Sequence, residues 1–373
     1  MNHYTIKPGL STEKLTELSD ELSTEIESDF CKNLIGLNRI LEAPYYRIWG
    51  CSPIWGEDGK VHMYYARWIH KYAKPIGWLI SAEIAHAVSD TPEGPFEFVE
   101  TILEGRGGDH WDSWAVSNPS IYKHGDQYIL LYMGTSGSNT GITRDEFLDQ
   151  PEEVQEEIKQ KLLRTKRIGM AVSNSVNGPW TRISDEKPLI EAGPKGSWDE
   201  VCNTNPAMII TPQGQYYLYY KGWQEGTVTN RKYGLAIADK LEGPYKKYEG
   251  NPVIDFSYLA PWIQCEDAYM WYENGTYKSI MRGMGVFGSL EDGVYLTSKD
   301  GIHWNDHSPQ LAYKRSYEYF PEEAEPLFRP IKGRFERPQI LFNPDTGKPD
   351  YLYCSLRGGL YNSASGVVLK INL

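Results

Sequence analysis

The chain of 373 residues contains five units in which a polar segment leads into an apolar run and then into a second, tyrosine-rich run. Short apolar runs between turn residues are typical of β-strands. In the third unit, residues 204–210 are followed by a turn at residues 213–214 and by residues 215–220, four of which are tyrosine. The units begin near residues 51, 117, 204, 266 and 336.

A third strand and a Gly-Pro-aromatic turn complete three of these units. The turns lie at residues 94–96, 178–180 and 243–245, and the fourth unit keeps its third strand at residues 294–298. Units of about four short strands cannot bury their faces alone, and radial stacking of such units produces a β-propeller. The sequence therefore predicts an all-β protein, a five-bladed β-propeller whose unit starts lie innermost.

Two segments interrupt the repeat. Residues 11–41 follow a helical pattern with one apolar stripe, formed by Leu15, Leu18, Leu22 and Ile26. Residues 143–167 are acidic first and basic later, the charge order that a helix dipole favours, which predicts a helical insertion in blade two. We therefore predict an N-terminal helical arm at residues 1–40 and a propeller catalytic domain at residues 41–373. The stripe needs a cover, either the propeller or a second subunit, and we expect a homodimer.

Composition narrows the choice of partner. The net charge of −12 and the pI near 5.3 argue against nucleic acid. Twelve tryptophans and 27 tyrosines are more than a core of this size needs, and exposed rings stack well on sugars. Residues 1–10 do not resemble a signal peptide, and no apolar stretch is long enough to span a membrane. We expect no membrane partner and a cytoplasmic or periplasmic location. The five irregularly spaced cysteines indicate free thiols.

Candidate site residues lie at the unit starts, because the first strand of each propeller blade lines the central channel. The second and third units match closely here, since residues 108–112 precede Asn118 as residues 196–200 precede Asn205. The candidate catalytic residues are Asp112, Glu200, Glu266 and Glu336. The candidate substrate-binding residues are Trp49, Asp109, His110, Trp111, Trp198, Asn118, Asn205, Asp267 and Arg337.

The clustered carboxyl groups indicate cleavage of a glycosidic bond, because this reaction needs one protonated carboxyl group and one carboxylate. We expect Glu266 to be the acid, because its aromatic surroundings and the adjacent Asp267 would raise its pKa. Asp112 or Glu200 would then be the base. For Asp112, the alternative is a structural role in capping the turn. For Glu266 and Glu336, the alternative is an ion pair with Arg337 or Arg334.

The unit starts, the Gly-Pro-aromatic turns and the acidic approaches resemble the five-bladed glycoside hydrolases of families 43 and 117. The similarity extends over residues 45–373 and is most specific at residues 81–112. It implies cleavage of a polysaccharide-derived oligosaccharide by carboxylic residues in the central funnel. The family 117 enzymes also have an N-terminal helical arm used in dimerisation. In family 43 an Asp in the first unit is the general base, whereas Ser52 occupies the matching place here, so that base is not carried over.

Two other functions remain open. A five-bladed glycoside phosphorylase would need a basic phosphate pocket, for which the candidates are Arg106, Arg282, Arg334 and Arg337. A propeller that binds glycans without cleaving them is favoured by Ser52 at the family 43 base position. The sequence indicates no required cofactor and no catalytic metal site, although a structural divalent cation in the central channel remains an expectation.

Overall fold

The computed structural model describes residues 25–70, 76–226, 230–320, 333–361 and 363–373. These residues form five four-stranded antiparallel sheets, which confirms the five-bladed β-propeller. Innermost strands of neighbouring blades contact one another around the axis. Of the predicted apolar stripe, Leu15, Leu18 and Leu22 lie outside the described residues, and Ile26 is exposed. The arm and its dimer contact therefore remain predictions.

The first four blades each consist of four consecutive strands, ordered from the axis outwards. Blade one contains β2 (Tyr46–Trp55), β3 (Val61–Ile69), β4 (Glu83–Ser89) and β5 (Glu97–Leu103). Blade two contains β6 (Ala115–His124), β7 (Gln127–Thr135), β8 (Arg167–Ser173) and β9 (Thr181–Arg182). Blade three contains β10 (Thr204–Ile210), β11 (Tyr216–Gly222), β12 (Lys232–Ala238) and β13 (Lys246–Lys247). Blade four contains β14 (Gln264–Glu273), β15 (Thr276–Met284), β16 (Gly293–Ser298) and β17 (Gln310–Tyr313).

The fifth blade joins the two ends of the described chain. Its strands from the axis outwards are β18 (Glu336–Phe342), β19 (Pro349–Gly358), β20 (Ser363–Ile371) and β1 (Leu34–Leu41). Strand β1 runs antiparallel to β20, with Leu34 opposite Ile371 and Leu41 opposite Gly366. The predicted domain boundary at residue 40 is therefore wrong, because residues 34–40 already belong to the propeller and close its last blade.

Five helices are described: α1 (Asp29–Lys32), α2 (Gly77–Ile80), α3 (Arg144–Leu148), α4 (Glu152–Thr165) and α5 (Ser316–Tyr319). Helices α3 and α4 lie between β7 and β8, as predicted for the insertion in blade two. Ile158 and Leu162 of α4 are buried against α2 and Trp114. The insertion is thus packed onto the propeller, and α4 ends directly before Lys166.

Each innermost strand contains a bulge at the same place. Its pairing register shifts between Trp49 and Ser52 in β2, and between Glu266 and Tyr269 in β14, with equivalent shifts in β6, β10 and β18. In every bulge, the residue directly after the last paired position has a positive φ. We call these five residues the axial ring: Gly50, Asn118, Asn205, Asp267 and Arg337. Such backbone suits Gly, Asn and Asp best.

The bulges correct the alignment of the first unit. Gly50, with φ of 67°, is the equivalent of Asn118, with φ of 53°. Ser52 instead matches Ser120, since both resume strand pairing after the bulge. Within the repeat, Trp49 and Gly50 are therefore the first-unit equivalents of Ser117 and Asn118, and Ser52 lies two residues beyond Gly50.

Two buried histidines lie between blades one and two. His62 Nδ1 is 2.8 Å from His86 Nε2, and His62 Nε2 is 3.2 Å from the Asp58 carboxylate. The His86 ring also stacks on Tyr64, with ring centroids 5.1 Å apart. Burial, and then the adjacent His62, lower the pKa of His86 to about 4. The neutral form of His86 is therefore part of the folded core.

Closure by β1 predicts that Ile40→Ala destabilises the whole propeller. Ile40 is 2% exposed and packs in a core cluster with Val368 of β20, so truncation should cost about 2–5 kcal/mol. Ile35→Ala on the same strand is the matched control, because Ile35 is 53% exposed. Urea unfolding measures both. Equal small effects would contradict a closing role for β1.

Stability should fall as the pH drops from about 6.5 to about 4, because His86 binds a proton in the unfolded chain before it does so in the folded protein. His86→Leu should remove this contribution and flatten the difference in unfolding free energy between pH 7 and pH 5. Denaturant unfolding of both proteins at the two pH values tests this. An unchanged pH dependence in the variant would show that His86 is not the responsible group.

Candidate active site

A cavity of about 120 Å³ lies where the innermost strands begin. It contains aromatic, basic, acidic and small polar side chains. The lining residues are Arg47, Trp49, Trp68, Trp78, Ser117, Asn118, Lys166, Asn205, Lys221, Glu266, Asp267, Arg334, Glu336, Arg337, Arg357 and Ala364. The predicted residues that the structure brings together here are Trp49, Asn118, Asn205, Glu266, Asp267, Glu336 and Arg337.

Hydrogen bonds link the axial ring from blade to blade. Asn118 Nδ2 donates to Asn205 Oδ1 at 3.2 Å, and Asn205 Nδ2 donates to Asp267 Oδ1. The backbone N–H of Arg337 donates to Asp267 Oδ2 at 3.1 Å, and Arg337 Nη2 donates to the Asn118 carbonyl at 3.3 Å. A Cβ on Gly50 would make an ordinary contact with the Arg337 side chain, 3.7 Å from its Nε, so the positive φ of 67° rather than a lack of space favours glycine here.

Glu266 and Glu336 occupy the same position in blades four and five, directly before the axial ring. Glu266 Oε1 accepts from Arg282 Nη1 at 2.5 Å, and its Oε2 accepts from Lys221 Nζ at 2.8 Å. Glu336 Oε1 lies 3.0 Å from Arg334 Nη2 and 3.3 Å from Arg282 Nη1. Arg282 therefore bridges the two carboxylates and fixes their positions relative to each other.

The two carboxyl groups of blade four have pKa values that are shifted in opposite directions. Burial alone would raise the pKa of Glu266, but Lys221, Arg231 and Arg282 together hold it well below its usual value. Burial, and then the adjacent Glu266, raise the pKa of Asp267. Our expectation of a raised pKa for Glu266 is therefore wrong, because the sequence did not reveal the cations that surround it.

A divalent cation does not fit the acidic side chains of the cavity. One oxygen each of Glu266, Asp267 and Glu336 lies within 4.8 Å of the others, which resembles a ligand set. However, Glu266 and Glu336 are already paired with lysine or arginine, and both Asp267 oxygens accept hydrogen bonds from the axial ring. The neighbouring cations already compensate the negative charge that a divalent metal ion would need.

Asp112 does not line the cavity. It is fully buried, and its carboxylate lies 2.6 Å from Arg106 Nε and 3.1 Å from Arg182 Nε. It also accepts from the Tyr132 hydroxyl at 3.1 Å, while Trp111 stacks on the Tyr132 ring with centroids 5.8 Å apart. Asp112 and Trp111 therefore join the strands of blade two.

The third blade repeats this arrangement. Asp199 accepts from the Tyr220 hydroxyl at 3.2 Å and pairs with Lys247 at 2.5 Å. Trp198 stacks on Tyr220 with centroids 5.6 Å apart. The repeated Trp-Asp pair is thus a packing motif. Its structural role differs from the turn cap that we considered, because the carboxylates bind side chains rather than the backbone.

Three other candidate residues also lie outside the cavity lining. Glu200 accepts from the backbone N–H of Gly196 at 2.5 Å and of Glu225 at 2.7 Å, and these bonds lower its pKa. Asp109 and His110 are exposed on the loop before β6. The structure therefore gives none of them a position beside Glu266.

Sequence reasoning missed most of the basic residues. Lys221 lies opposite Thr204 in blade three, and Arg282 lies opposite Glu266 in blade four, so they occupy equivalent places on the second strands. Each precedes a glycine at the end of a tyrosine-containing run, a signal that could have identified Lys221 as the counterpart of Arg282, which we predict from the sequence only as a phosphate candidate. Trp68, Trp78, Lys166, Arg47 and Arg357 have no comparable repeat signal.

The chain resembles known proteins more clearly in fold than in sequence. No protein-family profile matches the chain. A segment of 130 residues is 25% identical to an uncharacterized protein of Mycobacterium tuberculosis and covers 32% of this chain and 41% of that relative. The chain thus spans less than half the length of the curated relative that it matches.

Solved structures of similar fold include a family 117 glycoside hydrolase of the marine bacterium Zobellia galactanivorans, at 17% identity and a TM-score of 0.61, covering 94% of this chain and 91% of that chain. BT0996, in an RGII complex, has 13% identity and a TM-score of 0.62, with coverage of 96% and 94%. A family 43 β-xylosidase/α-arabinofuranosidase from a compost metagenome, in complex with xylotriose, has 16% identity and a TM-score of 0.52, with coverage of 90% and 94%. The predicted resemblance of fold is confirmed.

If Asp112 is structural, Asp112→Asn should destabilise the protein by about 3 kcal/mol, because a neutral amide leaves Arg106 and Arg182 without a buried counter-charge. Asp185→Asn is the matched control, since Asp185 also pairs with Arg106 but its side chain is 79% exposed. Urea unfolding compares the two. Equal unfolding free energies for both variants would contradict the assignment.

Proposed function

We propose that this protein is a glycoside hydrolase that cleaves an oligosaccharide in the cavity where the innermost strands begin, which we call the axial cavity. One observation carries the proposal: Glu266 and Asp267 line the same cavity with their pKa values shifted in opposite directions. Opposite shifts in neighbouring carboxyl groups supply a carboxylate and a proton donor at one pH. Trp49, Trp68 and Trp78 add aromatic faces on which a sugar ring stacks.

The roles follow from protonation and spacing. Glu266 is the ionised carboxylate, and Asp267 is the proposed acid. One oxygen each of Glu266, Asp267 and Glu336 lies within 4.8 Å of the others. This is shorter than the separation of about 6.5–9.5 Å that leaves room for water in inverting enzymes. The spacing supports a retaining reaction in which Glu266 itself attacks the sugar.

In the first step the Glu266 oxygen forms a bond to the anomeric carbon as the glycosidic C–O bond breaks, and Asp267 gives its proton to the leaving oxygen. In the second step Asp267 takes a proton from water, and the water oxygen displaces Glu266 from the sugar. Glu336, held by Arg334 and Arg282, accepts hydrogen bonds from sugar hydroxyls. Release of terminal sugars stays a prediction.

Asp267→Asn and Glu266→Gln should each reduce turnover on the order of 10²- to 10⁴-fold, because each removes a group that acts in the transition state. Asparagine already occupies the Asp267 position in blades two and three, so Asp267→Asn is compatible with the axial ring. Glu200→Gln is the control and should retain turnover. Substrates come from an oligosaccharide panel, and NMR of the first product identifies its anomer.

Near wild-type turnover of folded Glu266→Gln and Asp267→Asn would overturn the hydrolase proposal. An inverted product would overturn the role of Glu266 as nucleophile. Thermal unfolding of each variant checks folding, since Glu266 is part of a buried ion-pair cluster.

A second candidate, glycoside phosphorolysis, is favoured by the number of basic side chains in the cavity. Of the four arginines predicted for phosphate, Arg334 and Arg337 line the cavity, and Arg282 contacts both Glu266 and Glu336. Arg106 instead pairs with Asp112 and Asp185. Adding phosphate to the panel distinguishes the reactions, because only a phosphorylase forms a sugar phosphate.

Assembly and location stay predictions. No helix among the described residues is long and apolar enough to cross a membrane. The homodimer and the cytoplasmic or periplasmic location rest on the sequence alone.

A further inference from the structure

The cavity is more basic than the chain that surrounds it. The whole sequence has a net charge of −12. In contrast, six lining side chains are basic and three are acidic. The acidic ones are Glu266, Asp267 and Glu336, and the basic ones are Arg47, Lys166, Lys221, Arg334, Arg337 and Arg357. A surplus of positive charge in an acidic protein indicates a ligand that is itself negatively charged.

The acidic side chains do not account for this surplus. Lys221 pairs with Glu266, Arg334 pairs with Glu336, and Arg337 lies 3.7 Å from Asp267. The other three cations, Arg47, Lys166 and Arg357, form no salt bridge with any carboxylate in the described ranges. Three basic groups in one cavity therefore lack a counter-charge from this part of the chain.

Lys166 is the most buried of the three, with 3% of its surface exposed. Its Nζ lies 5.3 Å from the centre of the Trp78 ring and 4.7 Å from that of Trp223. Aromatic faces stabilise a cation only in part, and burial lowers the pKa of Lys166 to about 8. Lys166 directly follows helix α4, which ends at Thr165, and its side chain lines the cavity. A negative ligand would hold this ammonium group in its charged form.

Arg47 and Arg357 are the other two basic side chains of the cavity that form no salt bridge with a described carboxylate. Arg47 Nε is buried and has no hydrogen-bond partner among the described residues. Burial, and then the like charge of Arg357, lower the pKa of Arg47. Arg47 and Arg357 line the same cavity, and a bound oxyanion there would offset the repulsion between their like charges.

We propose that Lys166, Arg47 and Arg357 form an oxyanion subsite of the axial cavity. It takes a carboxylate, sulfate or phosphate group. This inference deepens the proposed function, on which it rests for the sugar that carries the group. The oxyanion has two sources, which are an acidic group on the substrate sugar and free inorganic phosphate acting as co-substrate.

Isothermal titration calorimetry on the full chain tests the subsite with galacturonate, its neutral methyl ester and inorganic phosphate. Galacturonate or phosphate should bind, with affinity that falls as salt rises, and the ester should bind at least about tenfold more weakly than galacturonate. Lys166→Met keeps the stem between the tryptophans and removes the charge. It and Arg357→Gln should each lower anion affinity on the order of tenfold, as loss of a charged hydrogen bond does.

Lys348→Met is the control, because Lys348 is exposed in the turn at the opposite end of β18 from Glu336. Galacturonate binding assigns the oxyanion to the sugar, and phosphate binding with formation of a sugar phosphate assigns it to the co-substrate. Equal affinity for the acid and the ester without phosphate binding, no binding of any anion, or unchanged anion affinity in Lys166→Met and Arg357→Gln would each overturn the subsite.

The two proposals fail separately. Anion binding that depends on Lys166, together with normal turnover in Asp267→Asn, would contradict the mechanism and leave the subsite intact. Turnover of neutral sugars that depends on Asp267, together with no anion binding, would contradict the subsite alone.

Discussion

The bulge in each innermost strand is the constraint on which the rest of this site depends. Side chains of a regular strand alternate between faces, so two consecutive residues cannot both point to one cavity. The bulge removes this restriction, and Ser117 with Asn118, Glu266 with Asp267, and Glu336 with Arg337 all line the cavity as consecutive pairs. The opposite pKa shifts of Glu266 and Asp267 exist only because the bulge holds these two carboxyl groups together.

The axial ring also explains why the blades are chemically unequal. Asparagine serves blades two and three, where side-chain amides can both donate and accept. Blade one has Gly50, and Arg337 extends from blade five to the Asn118 carbonyl. The carboxylates are therefore confined to blades four and five. The first blade contributes Trp49 to the cavity.

Much of the fold could be predicted from the sequence, because five strand pairs and their turns repeat in composition. The register of the first unit could not be predicted, because Gly50 and Asn118 differ in residue type and only their backbone conformation shows that they are equivalent. The role of β1 was missed because residues 34–41 resemble no other outer strand, and their partner β20 lies at the opposite end of the chain.

Only part of the site could be predicted, because the rest depends on contacts that form in three dimensions. Glu266 and Glu336, which lie inside the repeated strands, line the cavity, whereas Asp112 and Glu200 lie in loops outside its lining, where the repeated spacing serves packing. The charge state of Glu266 depends on Lys221, Arg231 and Arg282, which approach it only in three dimensions. The separation of residues along the sequence does not reveal the electrostatic interactions that shift a pKa.

The most direct test of this account is a carboxyl ¹³C NMR titration of the labelled protein without ligand, with signals assigned by Glu266→Gln and Asp267→Asn. The account predicts that Glu266 stays ionised well below 4.5, and that Asp267 takes up its proton above 3.8. A Glu266 that is protonated near neutral pH, or an Asp267 that stays ionised below 3.8, would contradict it.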